Sequence, residues 1–124
     1  MKLFTIDEAN ELLPSVRAKL ESIQRLYERL AAYREPAKAA AAASEFGGGM
    51  PGGSRYVRAL YEIGKMTTEL HEMGIQLKDY SRGLIDFPSM RNGRVVLLCW
   101  QLGEADVIEW WHEIEAGFAG RQPL

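Results

Sequence analysis

Apolar residues recur at alternating spacings of four and three along the first third of the chain. The series is Ala9, Leu13, Val16, Leu20, Ile23, Tyr27 and Leu30. This period keeps one face of an α-helix apolar, and Thr5 followed by Glu8 has the spacing of a capping box. The pattern predicts a helix over residues 6–34 that ends before Pro36, with a helical extension over the alanine-rich residues 37–45.

A second series of the same period follows a glycine-rich stretch. Its members are Tyr56, Leu60, Ile63, Thr67 and Leu70. They predict a helix over residues 54–73, which Gly74 can end in the left-handed conformation. Residues 47–53 read as a loop, because glycine has high backbone entropy and no side chain to pack. Two such helices joined by one loop predict a long antiparallel hairpin with coiled-coil packing.

The first predicted helix carries more apolar residues than one partner helix can cover. Leu12, Leu26 and Tyr33 lie beside the main series. An apolar stripe of this kind is unfavourable in water, so we expect a homodimer formed through this helix.

The hydrophobic period changes after residue 75. Three short segments are rich in β-forming residues, namely 75–78, 84–90 and 94–100. Asn92-Gly93 between the last two is a strong signal for a two-residue hairpin. We predict a three-stranded antiparallel meander over residues 75–100. Counting back from this turn places Asp86 opposite Cys99, so a carboxylate should lie on a largely apolar sheet.

The C-terminal part is predicted to contain a third helix, over residues 105–116. Its apolar residues Val107, Trp110, Trp111 and Ile114 should face the rest of the protein. Gly117 can cap this helix, and residues 117–124 form a tail. The chain as a whole, residues 1–124, is therefore predicted to be one α+β domain.

Composition narrows the classes of function. The 124 residues are 47% hydrophobic and carry a net charge of -2, which argues against a nucleic-acid binder. The basic residues of the first helix alternate with glutamates, which favours a solvated, salt-bridged face over a patch for an acidic partner. There is no signal peptide pattern, no membrane-spanning run and a single cysteine, so we expect a protein of the reducing cytoplasm.

Both ends of the chain and the β region resemble a family of small bacterial proteins known as domain of unknown function family 2203. The stretches that carry the resemblance are FTIDEANELLP (4–14), KDYSRGLIDFP (78–88), CWQLGE (99–104) and WHEIEAGFAGRQPL (111–124). The resemblance implies a stand-alone cytosolic domain. Because the family has no established activity, it implies no catalytic or cofactor role for any residue.

Glu109 and His112 have the Glu-x-x-His spacing that places two metal ligands on one helix face. A diiron site needs this pair twice, but the other histidine, His71, is preceded by Thr68 at that spacing. A partly exposed, structural His112 is therefore favoured, and Glu109, His112 and Glu115 are weak candidates for a divalent metal. No cofactor is predicted.

A looser group of polar residues lies in otherwise apolar or glycine-rich sequence. It comprises Asp86, Glu104, His112, Glu115 and Arg121. Such residues either pair with one another or line a wet pocket, because burying them unpaired is costly. An ion pair of Arg121 with Asp86 or Glu115 is the favoured interpretation, and a small-ligand site is the alternative. Cys99 is expected to be an inert core residue, or a nucleophile if the fold brings His112 beside it.

Two classes of function remain open from the sequence. The favoured one is a non-enzymatic, homo-oligomeric interaction module built on the helical hairpin. The alternative is a small-ligand-binding or metal-binding protein, or an enzyme, with its site around His112.

Overall fold

Two helices lie against one five-stranded antiparallel sheet, an α+β arrangement. The computed structural model describes the backbone of residues 1–43 and 53–124 and the side chains of residues 1–32 and 54–124. The helices are α1 (Ile6–Ala43) and α2 (Gly53–Glu72). The strands are β1 (Gln76–Asp79), β2 (Leu84–Arg91), β3 (Arg94–Gln101), β4 (Trp110–His112) and β5 (Gln122–Pro123). The predicted loop 47–53, apart from Gly53, falls outside the described residues.

The predicted capping box begins α1. The Thr5 amide donates to Glu8 Oε1 at 2.9 Å, and the Glu8 amide donates to Thr5 Oγ1 at 3.0 Å. Hydrogen bonds to the carboxylate from the backbone amide and, after it, the side chain of Thr5 lower the pKa of Glu8. At its other end α1 continues past Pro36 to Ala43, which corrects the predicted boundary. A proline removes one helical hydrogen bond, and the alanines after it favour continuation of the helix.

The apolar face of α1 is buried mainly against the sheet. Its residues Ala9, Leu13, Val16, Leu20 and Ile23 form one core with Ile85, Phe87, Val96, Leu98, Trp100 and Trp111. The helices also contact each other in an antiparallel sense, with Lys19 Nζ 3.1 Å from Glu69 Oε2. The predicted long helical hairpin does not stand by itself, because a third element, the sheet, packs on the same face of α1. The sheet, rather than α2 alone, covers the apolar stripe of α1. Among the described residues, no helix is long and apolar enough to cross a bilayer.

The end of α2 follows the sequence pattern, whereas its buried face differs by one position. Gly74 has a φ of 91°, and the Ile75 amide donates to the Leu70 carbonyl at 3.0 Å, which is the six-to-one bond of a Schellman motif. Leu60, predicted to be in the helix interface, is 47% exposed, and Ala59 is buried instead. An apolar series with a mean spacing of about 3.5 residues moves gradually around a straight helix, which has about 3.6 residues per turn. This drift explains why the buried position shifts from Leu60 to Ala59.

The strand register agrees with the count from the Asn92-Gly93 turn. Asp86 pairs with Cys99, and Arg91 pairs with Arg94. The strand order is β1-β2-β3-β4-β5, so β3 is central, as its continuous apolar sequence indicates. The predicted three-stranded meander is enlarged, because the C-terminal part of the chain adds two further strands.

The predicted helix over residues 105–116 is wrong, since Trp110–His112 is strand β4. Trp111 enters the core, whereas Val107 and Ile114 are 49% and 56% exposed. Hydrogen bonds to distant residues hold this segment extended: the Ile108 amide donates to Asn10 Oδ1 at 2.7 Å, and the Leu124 amide donates to the Glu109 carbonyl at 3.0 Å. Pairing with β3 and β5 thus outweighs local helix propensity.

The last residues fold back along β4 rather than forming a loose tail. Gly117 has a φ of 67°, which turns the chain, and a short 3-10 helix over Phe118–Gly120 leads into β5. This C-terminal segment brings Arg121 close to the sheet face that points away from the helices.

Candidate functional site

Side-chain alternation places Asp86, Cys99 and His112 on one face of the sheet. Asp86 pairs with Cys99, and Cys99 pairs with Trp110, two residues before His112. In antiparallel strands, paired residues and residues two apart share a face. Their neighbours in sequence belong to the core under the helices, so these three side chains lie on the opposite face of the sheet.

Asp86 and His112 form a buried pair. His112 Nε2 is 3.0 Å from Asp86 Oδ1, and each side chain is only 3% exposed. The other ring nitrogen, Nδ1, is 2.7 Å from the Glu113 carbonyl oxygen. A carbonyl can only accept, so Nδ1 carries a proton, and one further proton lies between Nε2 and the carboxylate.

Cys99 lies beside this pair, on the central strand. Its Sγ, one carboxylate oxygen of Asp86 and one ring nitrogen of His112 all lie within 4.8 Å of one another. Burial, and after it the negative charge of Asp86, raise the pKa of the Cys99 thiol to about 12, whereas Arg121 opposes the shift. The thiol is therefore protonated near neutral pH, which makes it a poor nucleophile.

Arg121 covers this cluster from the C-terminal segment. Its Nη1 donates to Glu104 Oε2 at 2.8 Å and lies 3.9 Å from Cys99 Sγ. Glu104 is held in turn by the Gln101 amide, which donates to Oε1 at 2.9 Å. The side chains of Arg121 and Glu104 are only 14% and 17% exposed. The ion pair thus closes the cluster without entering it.

Two aromatic rings lie against the Arg121 guanidinium. Its central carbon lies 4.0 Å from the Phe118 ring centroid and 4.9 Å from that of Trp110. Arg82 lies over the same Phe118 ring at 4.3 Å. A cation over an aromatic face is attracted by the ring quadrupole, so these contacts fix the C-terminal segment over the site.

Comparison with known proteins identifies the family. The model of an uncharacterized conserved protein family, DUF2203, matches residues 2–124. The chain belongs to the DUF2203 family. No curated protein and no solved structure matches it significantly. The chemistry of this DUF2203 domain must therefore be inferred from its own geometry.

The DUF2203 site combines most, but not all, of the residues selected from the sequence. Asp86 and His112 pair directly, and Arg121 pairs with Glu104 rather than with Asp86 or Glu115. Glu115 is exposed, as is Glu109, which precedes His112 on an extended segment rather than a helix. The spacing argument for Glu109, His112 and Glu115 as metal ligands therefore loses its helical basis. Cys99 takes the place beside His112, and the signal for it was the predicted register with Asp86.

Proposed function

We propose that this chain binds a divalent transition-metal ion, with Zn²⁺ the most favourable, through Asp86, Cys99 and His112. The observation that carries the proposal is the convergence of a carboxylate oxygen, a thiol sulfur and an imidazole nitrogen within 4.8 Å at a buried point. Carboxylate, thiolate and imidazole are the three side-chain groups that bind zinc in proteins.

The spacing of the Asp86 and His112 ligand atoms fits one ion. Bonds of about 2.0 Å to nitrogen and oxygen and about 2.3 Å to sulfur put tetrahedral ligands about 3.3 to 3.5 Å apart. The measured separation between Asp86 Oδ1 and His112 Nε2 is 3.0 Å. The pair would have to open by only a few tenths of an ångström to take an ion in place of the shared proton.

The orientation of His112 supports the same assignment. Metal-binding histidines commonly donate their second N–H to a backbone carbonyl, which fixes the tautomer and directs the other lone pair at the metal. The Glu113 carbonyl accepts from Nδ1 at 2.7 Å and leaves Nε2 for the ion. Glu113 is itself held, since its side chain accepts from Arg94 Nε at 3.0 Å.

Charge balance also favours an ion at this buried point. The metal-free cluster holds one carboxylate, one neutral thiol and a shared proton on His112, so it is neutral overall. A divalent ion that displaces the thiol proton and the shared proton leaves the cluster neutral again. Such an exchange adds no net charge to a poorly solvated site, where an unbalanced charge is costly.

The proposed role of the ion is structural rather than catalytic. Its three ligands lie on β2, β3 and β4, so the ion would tie the C-terminal strands to the centre of the sheet. The largely buried Arg121–Glu104 pair lies beside Cys99, which disfavours access of a large substrate. We therefore propose a non-enzymatic, metal-stabilised domain, and a reducing cytoplasm would keep its single thiol free to bind.

Thermal unfolding of the full chain with added Zn²⁺ tests the proposal. Binding to the folded state alone raises the melting temperature as the ion concentration exceeds the dissociation constant. Asp86→Asn and His112→Gln should lose this rise. His71→Gln is the matched control, because His71 is the other histidine and is exposed on α2.

The variants also separate binding from folding. Circular dichroism without metal should show that Asp86→Asn retains the fold, because an amide can still hydrogen-bond to His112. A zinc-induced rise that persists in a folded Asp86→Asn protein, or that disappears in His71→Gln, would contradict the assignment.

A homodimer is the second candidate function, and one surface of α2 supports it. Val57, Leu60 and Tyr61 are 63%, 47% and 66% exposed, and space beside Gly64 is open. Antiparallel pairing of α2 with a second copy, centred between Leu60 and Tyr61, would seat Val57 of each copy beside Gly64 of the other. This self-complementarity favours a second copy as the occupant.

The dimer predicted from the sequence uses α1, and it stays a prediction. Leu12 packs against the core of its own chain, Leu26 is partly buried, and the side chain of Tyr33 lies outside the described residues. Light scattering on Leu60→Asp distinguishes the two surfaces, with Met90→Asp, 53% exposed on β2, as the control. Loss of the dimer in Leu60→Asp alone would support α2, whereas a monomeric wild type at micromolar concentration would overturn both dimers.

A further inference from the structure

Four arginines converge on a cleft between the two helices, far along α1 from its N-terminus. Arg25 and Arg29 of α1 and Arg55 and Arg58 of α2 line two adjoining hollows of about 310 and 540 Å³. The hollows share Leu26, Arg29 and Glu62. We name this region the arginine cleft.

The arginine cleft has an unbalanced positive charge. Counting only the side chains that the structure describes, four arginines face a single lining carboxylate, Glu62, which leaves an excess of three positive charges on a chain whose net charge is -2. Within the described side chains, none of these arginines has a carboxylate within 4.0 Å, and Arg25 donates only to Ser22 Oγ. Among the described side chains, Arg25 and Arg29 thus lack the salt bridges expected from the alternating glutamates.

Two basic side chains in the described part of the same helix do have acidic partners. Arg17 pairs with Asp106, and Lys19 pairs with Glu69. The arginine cleft is thus the part of the described helical surface where positive charges gather without compensation. Like charges brought together from two helices repel, and a bound anion removes that repulsion.

We propose that the arginine cleft binds a small anion that carries two or more phosphate groups. Guanidinium groups match phosphate oxygens with paired hydrogen bonds, and several forks at one cleft can hold several phosphates. The volume is that of a small-ligand site. The apolar floor formed by Leu26, Ala59 and Met66 lowers the local dielectric and strengthens the charge interactions. This inference is independent of the metal site.

The test uses inorganic tripolyphosphate as the probe, with orthophosphate for comparison, in calorimetric titrations of the full chain. Tripolyphosphate should bind at least tenfold more tightly than orthophosphate, and its affinity should fall as salt is raised. The double variant Arg29→Gln/Arg58→Gln should lose about tenfold or more of that affinity, since charge-assisted hydrogen bonds disappear from both helices. Lys65→Gln is the matched control, because Lys65 is an exposed cation of α2 outside the lining.

Two kinds of result would overturn the proposal of an anion site. Retained affinity in a folded Arg29→Gln/Arg58→Gln protein, or an equal loss in Lys65→Gln, would overturn the proposal in favour of general charge attraction. Vesicles containing anionic phospholipid form a second arm. Vesicle binding without tripolyphosphate binding would assign the cleft to a membrane surface and would also overturn the proposal.

Discussion

Asp86 and His112 are 26 residues apart in sequence, yet Oδ1 of one lies 3.0 Å from Nε2 of the other in a buried part of the sheet. The pair joins β2 to β4 across the central strand, where Cys99 completes the cluster. Side chains from three strands therefore contact one another in a single buried cluster. Each ring nitrogen of His112 has a partner, and the carboxylate is satisfied by the ring.

The first prediction concerns the stability of that pair in the metal-free protein. Asp86→Ala removes the partner of a buried imidazole nitrogen and should lower the free energy of unfolding by roughly 1 to 3 kcal/mol. Asp86→Asn should cost less, because its amide can still hydrogen-bond. Urea denaturation measures both. Glu115→Ala, at an exposed carboxylate, should change stability by about 0.5 kcal/mol or less. An effect of Asp86→Ala no larger than that of Glu115→Ala would show that the pairing contributes little to stability.

The second prediction concerns the thiol at alkaline pH. The pKa of Cys99 in the folded, metal-free protein is raised to about 12 from an ordinary value of 9.0. The folded state therefore holds the thiol proton more tightly than the unfolded state does. The contribution of this thiol to the free energy of unfolding should therefore be constant below about pH 9. It should fall as the pH rises from about 9 to about 12. Chemical denaturation across this range should show a weaker decline in Cys99→Ala. An identical decline in both proteins would assign the pH effect to other groups.

The third prediction concerns the ion pair above the cluster. Arg121→Met retains length and apolar contact with Phe118 and Trp110 but leaves Glu104 without its cation. It should lower the free energy of unfolding by roughly 1 to 3 kcal/mol. The double variant Glu104→Gln/Arg121→Met should lose less unfolding free energy than the two single variants lose together. The difference should be roughly 0.5 to 3 kcal/mol. If the losses of the two single variants simply add in the double variant, the Arg121–Glu104 ion pair does not stabilise the fold.

Local signals in the sequence predicted much of the fold. The Thr5 and Glu8 capping box, the Gly74 helix end and the Asn92-Gly93 turn each depend on residues close in sequence, and the structure contains all three. The pairing of Asp86 with Cys99 follows from that turn, because a two-residue turn sets which residues of β2 and β3 lie opposite each other. These features needed no knowledge of distant contacts.

The C-terminal strands could not be predicted in the same way. Residues 105–116 contain a helix-like apolar spacing, but the hydrogen bond from the Ile108 amide to Asn10 and the pairing of β4 with β3 come from distant parts of the chain. The sequence therefore singles out Asp86 and His112 as polar residues in apolar sequence, but does not predict their direct pairing. Cys99 was interpreted as a core residue because its apolar neighbours gave no sign that His112 would lie beside it.

Cobalt titration of the metal-free protein tests the central claim most directly, because Co²⁺ occupies zinc sites and has a visible spectrum that reports its ligands. We predict one equivalent of tightly bound Co²⁺, with the intense absorption of a tetrahedral ion and a thiolate-to-metal charge-transfer band. Cys99→Ser should lose the charge-transfer band, and His71→Gln should retain it. A wild-type spectrum of octahedral, water-bound cobalt without the charge-transfer band would contradict the metal site.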